Sequence, residues 1–222
     1  MADRVAKDAL FDAFAEVAKA LSSGRRAEIV DLLAQGERSV EEIAAQIDQS
    51  VANTSHHLRA MARAGLVATR RDGTRIFYRL ASDRVAEAWA ALRDVAADHV
   101  AGIERLARAY LGQRDGIEMV DRAELAARIR RGEVTVLDVR PFEEFEAGHI
   151  AGARSTPVGE LYRHLRILPA GAEVVTYCRG PYCIYADEAV RVLNKKGFHA
   201  RRLIDGFPEW RRAGLPVAVG AA

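Results

Sequence analysis

Ser55-His56-His57-Leu58-Arg59-Ala60-Met61-Ala62-Arg63-Ala64-Gly65-Leu66-Val67, continued by Arg71-Asp72-Gly73-Thr74-Arg75-Ile76-Phe77-Tyr78, decides the fold of the first half of this 222-residue chain. At 3.6 residues per turn, Val51, Thr54, Leu58 and Met61 share one inward face. Ala52, Asn53, His56, Arg59 and Arg63 then turn outward with Ser55 beside them. Ser50 caps this helix, and Gly65 supplies the left-handed residue past its end. Two extended runs follow around Asp72-Gly73, a dipeptide suited to positive φ in a tight turn. By itself such a helix reads more readily as an ordinary solvated one; what it does depends on its neighbours.

Upstream, Leu10, Phe14, Val17 and Leu21 recur at helical spacing and stop near Ser22-Ser23-Gly24. A second helix runs through Ile29, Leu32 and Leu33 to Gly36. Ser39 with Glu42 forms a capping box for a third, with Ile43, Ala44 and Ile47 inward. Downstream, Val85, Trp89, Leu92, Ala96, Val100, Ile103, Ala107 and Tyr110 predict one long helix from about Ser82 to Leu111. Its continuous stripe, with the first helix, calls for a second copy of the chain, so a homodimer is expected. Six arginines (Arg59, Arg63, Arg70, Arg71, Arg75, Arg79) against only Asp72 between Ser50 and Leu80 mark a phosphate-contacting surface, although the net charge is only +2.

Four helices, a basic hairpin and a helix stand in the order of a winged helix-turn-helix, and the quoted run resembles the recognition helix and wing of ArsR-type repressors. That resemblance implies a dimer on a double-stranded DNA operator. Asn53, Ser55, His56, Arg59 and Arg63 would lie in the major groove, with Arg71 and Arg75 on phosphates. The sequence departs from the metal sensors of the family, because Val40-Glu41-Glu42-Ile43-Ala44-Ala45 holds no cysteine. Asp98, His99 and Glu104 read as a solvated edge, so neither metal nor cofactor is expected.

Gly112 to Gly116 breaks the helical pattern and divides the chain into a DNA-binding and dimerisation domain (1–112), a linker (113–116) and a second domain (117–222). In the latter, Asp121 caps a helix with Glu124 as its capping-box partner, Val134 to Val139 and Glu173 to Tyr177 read as buried strands, Ile184 to Lys196 as a helix and His199 to Ile204 as extended. This alternation is α/β with a parallel sheet, beside the mainly α first half. Cys178-Arg179-Gly180-Pro181-Tyr182-Cys183 joins a strand to a helix, so backbone N–H groups and Arg179 would favour a Cys178 thiolate.

Residues 137–153, from Leu137-Asp138-Val139-Arg140 through Gly148-His149-Ile150, resemble the signature of rhodanese domains, and Gly206-Phe207-Pro208-Glu209-Trp210 through Val217 their closing motif. The resemblance implies that Cys178 takes sulfane sulfur as a persulfide from thiosulfate, a polysulfide or another persulfide, with Arg179 and the loop Gly180, Pro181 and Tyr182 around it. Asp138, Arg140 and His149 would be architectural. Cys183 departs from that pattern and suggests a resolving thiol. A cysteine phosphatase, with an arginine six residues after its nucleophile, is disfavoured because Ile184 stands there.

Three functions stay open at this point, the least favoured, given the intact cysteine loop, being a constitutive repressor whose rhodanese-like half is a degraded interaction module. Of the remaining two, one is a repressor-type regulator that senses or carries sulfane sulfur on Cys178. The other is a sulfurtransferase enzyme whose winged helix serves localisation and dimerisation. No signal-peptide core or membrane-spanning run is read, and two local cysteines suit a reducing cytoplasm.

Overall fold

Capping fixes the first elements. In the computed structural model, which describes residues 3–165, 168 and 171–220, the Asp3 carboxylate accepts from the Val5 N–H and starts α1 (Arg4–Leu21). There follow α2 (Gly24–Leu33), a short β1 (Arg38–Ser39), α3 (Val40–Gln46), α4 (Val51–Arg63), the hairpin β2 (Val67–Asp72) and β3 (Arg75–Leu80), and α5 (Asp83–His99). The Ser39–Glu42 capping box forms at α3, and the Ser50 hydroxyl accepts from Asn53 N–H at α4. Ile29, Val30, Ile43, Ile47, Leu58 and Met61 meet in one core, each contributing about 1.5–3 kcal/mol on burial. Gly65 (φ 72°) and Gly73 (φ 58°) take the positive-φ positions that end α4 and turn the hairpin.

Two expectations for the first half need correcting. Val51 is not inward: it opens α4 before the helix packs, and is 45% exposed. The long helix is interrupted. It ends as α5 at His99 and restarts as α6 (Ile103–Leu111) after Gly102, whose φ of 92° no continuous helix accommodates. The hairpin also has a third strand, since β1 pairs with β3 through Arg38↔Tyr78 and Ser39↔Phe77. Two residues carry no periodicity from which to read a strand.

The chain forms two units, Met1–His99 and Val100–Ala222. The second contains α6, β4 (Met119–Val120), α7 (Arg122–Arg131), β5 (Thr135–Asp138), α8 (Phe142–Ala147), β6 (His149–Ile150), β7 (Arg154–Ser155), α9 (Leu161–His164), β8 (Glu173–Cys178), α10 (Ile184–Lys195), β9 (His199–Gly206), α11 (Phe207–Arg212) and β10 (Val217–Ala218). A five-stranded sheet runs β4-β9-β8-β5-β7 with every pairing parallel. A separate antiparallel pair joins β6 to β10.

The period of two along β8 sorts its side chains. Val175 and Tyr177 enter one core with Leu125, Phe207 and Trp210, while Val174 and Cys178 enter the other with Ala186, Val190 and Leu193 of α10. Cys178 is thereby placed on the α10 face at the carboxyl end of a central strand. At α7, Asp121 caps as expected by accepting from Glu124 N–H. The Glu124 carboxylate, expected to reach back to the cap, instead pairs with Arg201 and Arg128.

Candidate functional site

On α4 the buried side is Thr54, Leu58 and Met61. Asn53, His56, Arg59 and Arg63 are exposed, Ser55 is half-buried, and the hairpin presents Arg71 and Arg75 to solvent. Asn53 is held by a bond from its amide to Gln49 (2.7 Å), and the Arg59 guanidinium folds back to Ser55 O (3.2 Å). Arg70 is occupied within the protein, pairing with Glu37 at 2.6 Å and Asp72 at 3.1 Å. His57 faces inward beside Arg26, and burial together with that cation holds its pKa below the usual histidine range. His57 is therefore a different kind of residue from its exposed neighbour His56. Asp98 and His99 end α5, whereas Glu104 lies on α6 and pairs with Arg108.

In the second unit Cys178 and Cys183 are joined as a disulfide, with Cα atoms 6.2 Å apart, closing the five-residue step from β8 to α10. Cys178 is only 1% exposed, whereas Cys183, the N-cap of α10, is half-buried. Gly180 is buried, and Pro181 and Tyr182 are half-buried. Cys183 N–H donates to Gly180 O (3.1 Å). The loop lies so close to β9 that a Cβ on Gly206 would sit 2.3 Å from Gly180 N and 2.4 Å from Arg179 C.

Arg179 does not stand beside the sulfur as a bare cation. Its guanidinium forks onto the buried Glu144 carboxylate, with the closest contact 2.5 Å, and lies over Tyr185. The charge offered to a thiolate is thus largely compensated. Glu144 was missed as a site residue because nothing in its helix distinguishes it from Glu143 until the fold buries it.

Beneath the loop lies a second cluster that the sequence did not reveal. Buried Arg202 of β9 donates to the carbonyls of Gly180 (3.0 Å), Pro181 (3.1 Å) and Cys183 (3.4 Å) and pairs with buried Asp187. Arg114 pairs with the same Asp187 (2.7 Å) and donates to Pro181 O (2.9 Å). Burial, aided by repulsion from Arg114 and opposed by Asp187, brings the Arg202 pKa down to about 10, so it remains cationic at neutral pH. Two guanidiniums thus share one carboxylate and hold the loop by its carbonyls.

The signature residues are architectural in geometry. Fully buried Arg140 donates to Asp138 (2.5 Å) and Gly148 O (2.7 Å) and lies 4.5 Å from the Phe207 ring centroid. Tyr177 donates its hydroxyl to Asp138 (2.5 Å) and accepts from Ile150 N–H (3.1 Å). Desolvation, then the Asp138 charge, raises the Tyr177 pKa well above its usual value. His149 stacks on Phe145 at 3.7 Å.

Residues 23–69 match the model of the arsR family of bacterial regulatory proteins, and residues 121–213 that of the rhodanese-like domain. The HTH-type transcriptional regulator Rv0324 of Mycobacterium tuberculosis is 47% identical over 215 residues, covering 97% of this chain and 94% of that protein. Among solved structures, the homodimeric winged helix-turn-helix DNA-binding domain of Mb0332 from Mycobacterium bovis is 47% identical, over 45% of this chain and 91% of that one, with a TM-score of 0.42. A rhodanese-related protein from Thermoplasma volcanium is 28% identical over 46% of this chain and 97% of that one, with a TM-score of 0.41. The chain belongs to the ArsR family of helix-turn-helix transcriptional regulators and carries a C-terminal rhodanese-like domain.

Proposed function

We propose that this regulator senses sulfane sulfur through Cys178 and Cys183 and changes its operator affinity in response. The observation that carries the reading is the disulfide across the β8–α10 loop, because it places a second sulfur within bonding reach of the first. Cys178 thiolate attacks the outer sulfur of a persulfide or polysulfide donor, forming a Cys178 persulfide and expelling the donor thiolate. Cys183 thiolate then attacks the Cys178 Sγ. The Sγ–Sγ bond forms, the bond to the outer sulfur breaks, and hydrosulfide leaves with the proton given up by Cys183. Two thiols are oxidised and one sulfane sulfur is reduced. A dithiol resets the loop, entering at Cys183 because Cys178 is covered.

In this reading the protein acts in the cytoplasm as a homodimeric repressor. Leu10, Phe11, Phe14 and Val17 of α1 and Leu92 and Val95 of α5 are all exposed, and contiguous apolar faces of this kind are covered by a partner. Asn53, Ser55, His56, Arg59 and Arg63 read the operator, with Arg71 and Arg75 on phosphates.

The test combines intact-mass spectrometry with operator binding for wild type, Cys178→Ser and Cys183→Ser treated with polysulfide. Sensing requires a wild-type loss of two hydrogens, a persulfide retained on Cys183→Ser, no modification at this site in Cys178→Ser, and an affinity change confined to proteins that react. Multiple turnovers of sulfide release with constant operator affinity would instead assign a sulfurtransferase.

A further inference from the structure

Arg114 lies outside both motifs, in the segment that leads from α6 into the sheet, three residues past Leu111. Its guanidinium has two partners at once: Asp187 in the first turn of α10 (2.7 Å) and the carbonyl of Pro181 in the middle of the disulfide loop (2.9 Å). The same segment is held a second time, where Arg191 of α10 donates to Gln113 O (2.7 Å). The segment before the sheet is therefore seated on the helix whose N-cap is Cys183.

We propose that Arg114 is a positioning residue for the Cys178 loop, and that through it the thiol state of the loop is felt by residues 100–116. This rests on the sulfur-sensing reading above and names the contact by which the signal leaves the loop. The physical step is short. Carbonyls of Gly180, Pro181 and Cys183 turn toward Arg202, with Arg114 on Pro181 as well, so planar trans peptides send the N–H groups of Tyr182 and Ile184 the opposite way.

Opening the disulfide releases the covalent restraint between Cys178 and Cys183, and the Pro181 carbonyl is the loop atom on which Arg114 rests. A loop that relaxes removes one tooth of the Arg114 fork, leaving Asp187 and Arg191 as the side chains of α10 that still grip the segment. A bidentate guanidinium suits this task because it reports the simultaneous presence of two acceptors in fixed geometry.

The experiment uses the full chain, as wild type, Arg114→Gln and Arg114→Lys, each reduced by a dithiol and each converted to the disulfide by polysulfide. Hydrogen–deuterium exchange is read over residues 100–116, and operator affinity is measured on the same samples. In wild type, exchange in 100–116 is severalfold faster in the reduced form, and affinity differs more than about fivefold between forms. In Arg114→Gln the two forms exchange alike over 100–116 and their affinities agree within about twofold, while disulfide formation by polysulfide proceeds.

Arg114→Lys keeps the charge without the fork, so it also loses the difference, and it serves as the folded variant if the glutamine protein does not fold. Either variant keeping the wild-type difference overturns the proposal, as does a wild-type segment indifferent to the disulfide. A segment that responds while operator affinity stays constant upholds Arg114 and removes the sensing function instead.

Discussion

The two units keep their charges in opposite places. Among the described residues of Met1–His99 the buried polar ones are the neutral Gln35, Ser39 and Thr54, and the arginines of α4 and the hairpin face solvent. In Val100–Ala222 the interior holds Asp138, Arg140, Glu144, His149, Asp187, Arg202 and Glu209. An apolar core with outward charge suits a surface that must meet a polyanion, where each phosphate contact is made from water. Buried pairs around a loop suit chemistry on a fixed sulfur, because charges taken out of water hold their geometry or cost several kcal/mol.

This contrast is easiest to break at Arg140. Arg140→Met leaves Asp138 charged and buried without its guanidinium, and should cost about 3–5 kcal/mol, read by chemical denaturation of the full chain. An equivalent loss from Arg59→Met in the first unit would erase the distinction, since Arg59 is exposed and its removal should leave stability unchanged. Gly206→Ala comes next. Its Cβ meets the backbone of Arg179 and Gly180, not a movable side chain, so overpacking of about 1–3 kcal/mol is expected, together with slower polysulfide-driven disulfide formation.

Tyr177→Phe removes a hydroxyl bound to Asp138 and Ile150, for about 1–3 kcal/mol. It also carries a pH signature. The folded Tyr177 pKa is raised above the ordinary tyrosine value of 10.0, so above pH 10 the unfolded chain releases this proton while the folded one retains it. Stability contributed by Tyr177 is thus present below pH 10 and falls as pH rises beyond that value toward the folded pKa. A wild-type denaturation midpoint as insensitive as that of Tyr177→Phe between pH 9 and about 11 would contradict it.

For the exposed face, removing Arg71 and Arg75 should leave melting unchanged and lower the magnitude of the slope of log affinity on log salt by about one for each phosphate no longer neutralised. Single alanines at Asn53, His56 and Arg59 should each relax base preference by about 1–3 kcal/mol. Retained sequence discrimination in the triple variant would mean that another surface reads DNA.

Features that rest on near neighbours along the chain are written in the amino-acid order. The capping box at Ser39–Glu42, the Ser50 cap, the stripe Thr54–Leu58–Met61, the Asp72-Gly73 turn and the run of β8 into Cys178 all depend on spacings of a few residues or a period of two. Local geometry fixes these, and they are legible without coordinates. Helix continuity past His99 is misleading in the sequence because an apolar stripe carries across Val100 and Ile103 while Gly102 breaks the backbone beneath it.

Which charges are inside, and whom they meet, follows from long-range packing. Arg114 and Asp187 are 73 residues apart, and Glu144 and Arg179 are 35 apart. No periodicity links such pairs. A parallel sheet brings together strand ends that are distant in the chain, and burial then turns ordinary surface-type residues into the fixed charges around the Cys178 loop.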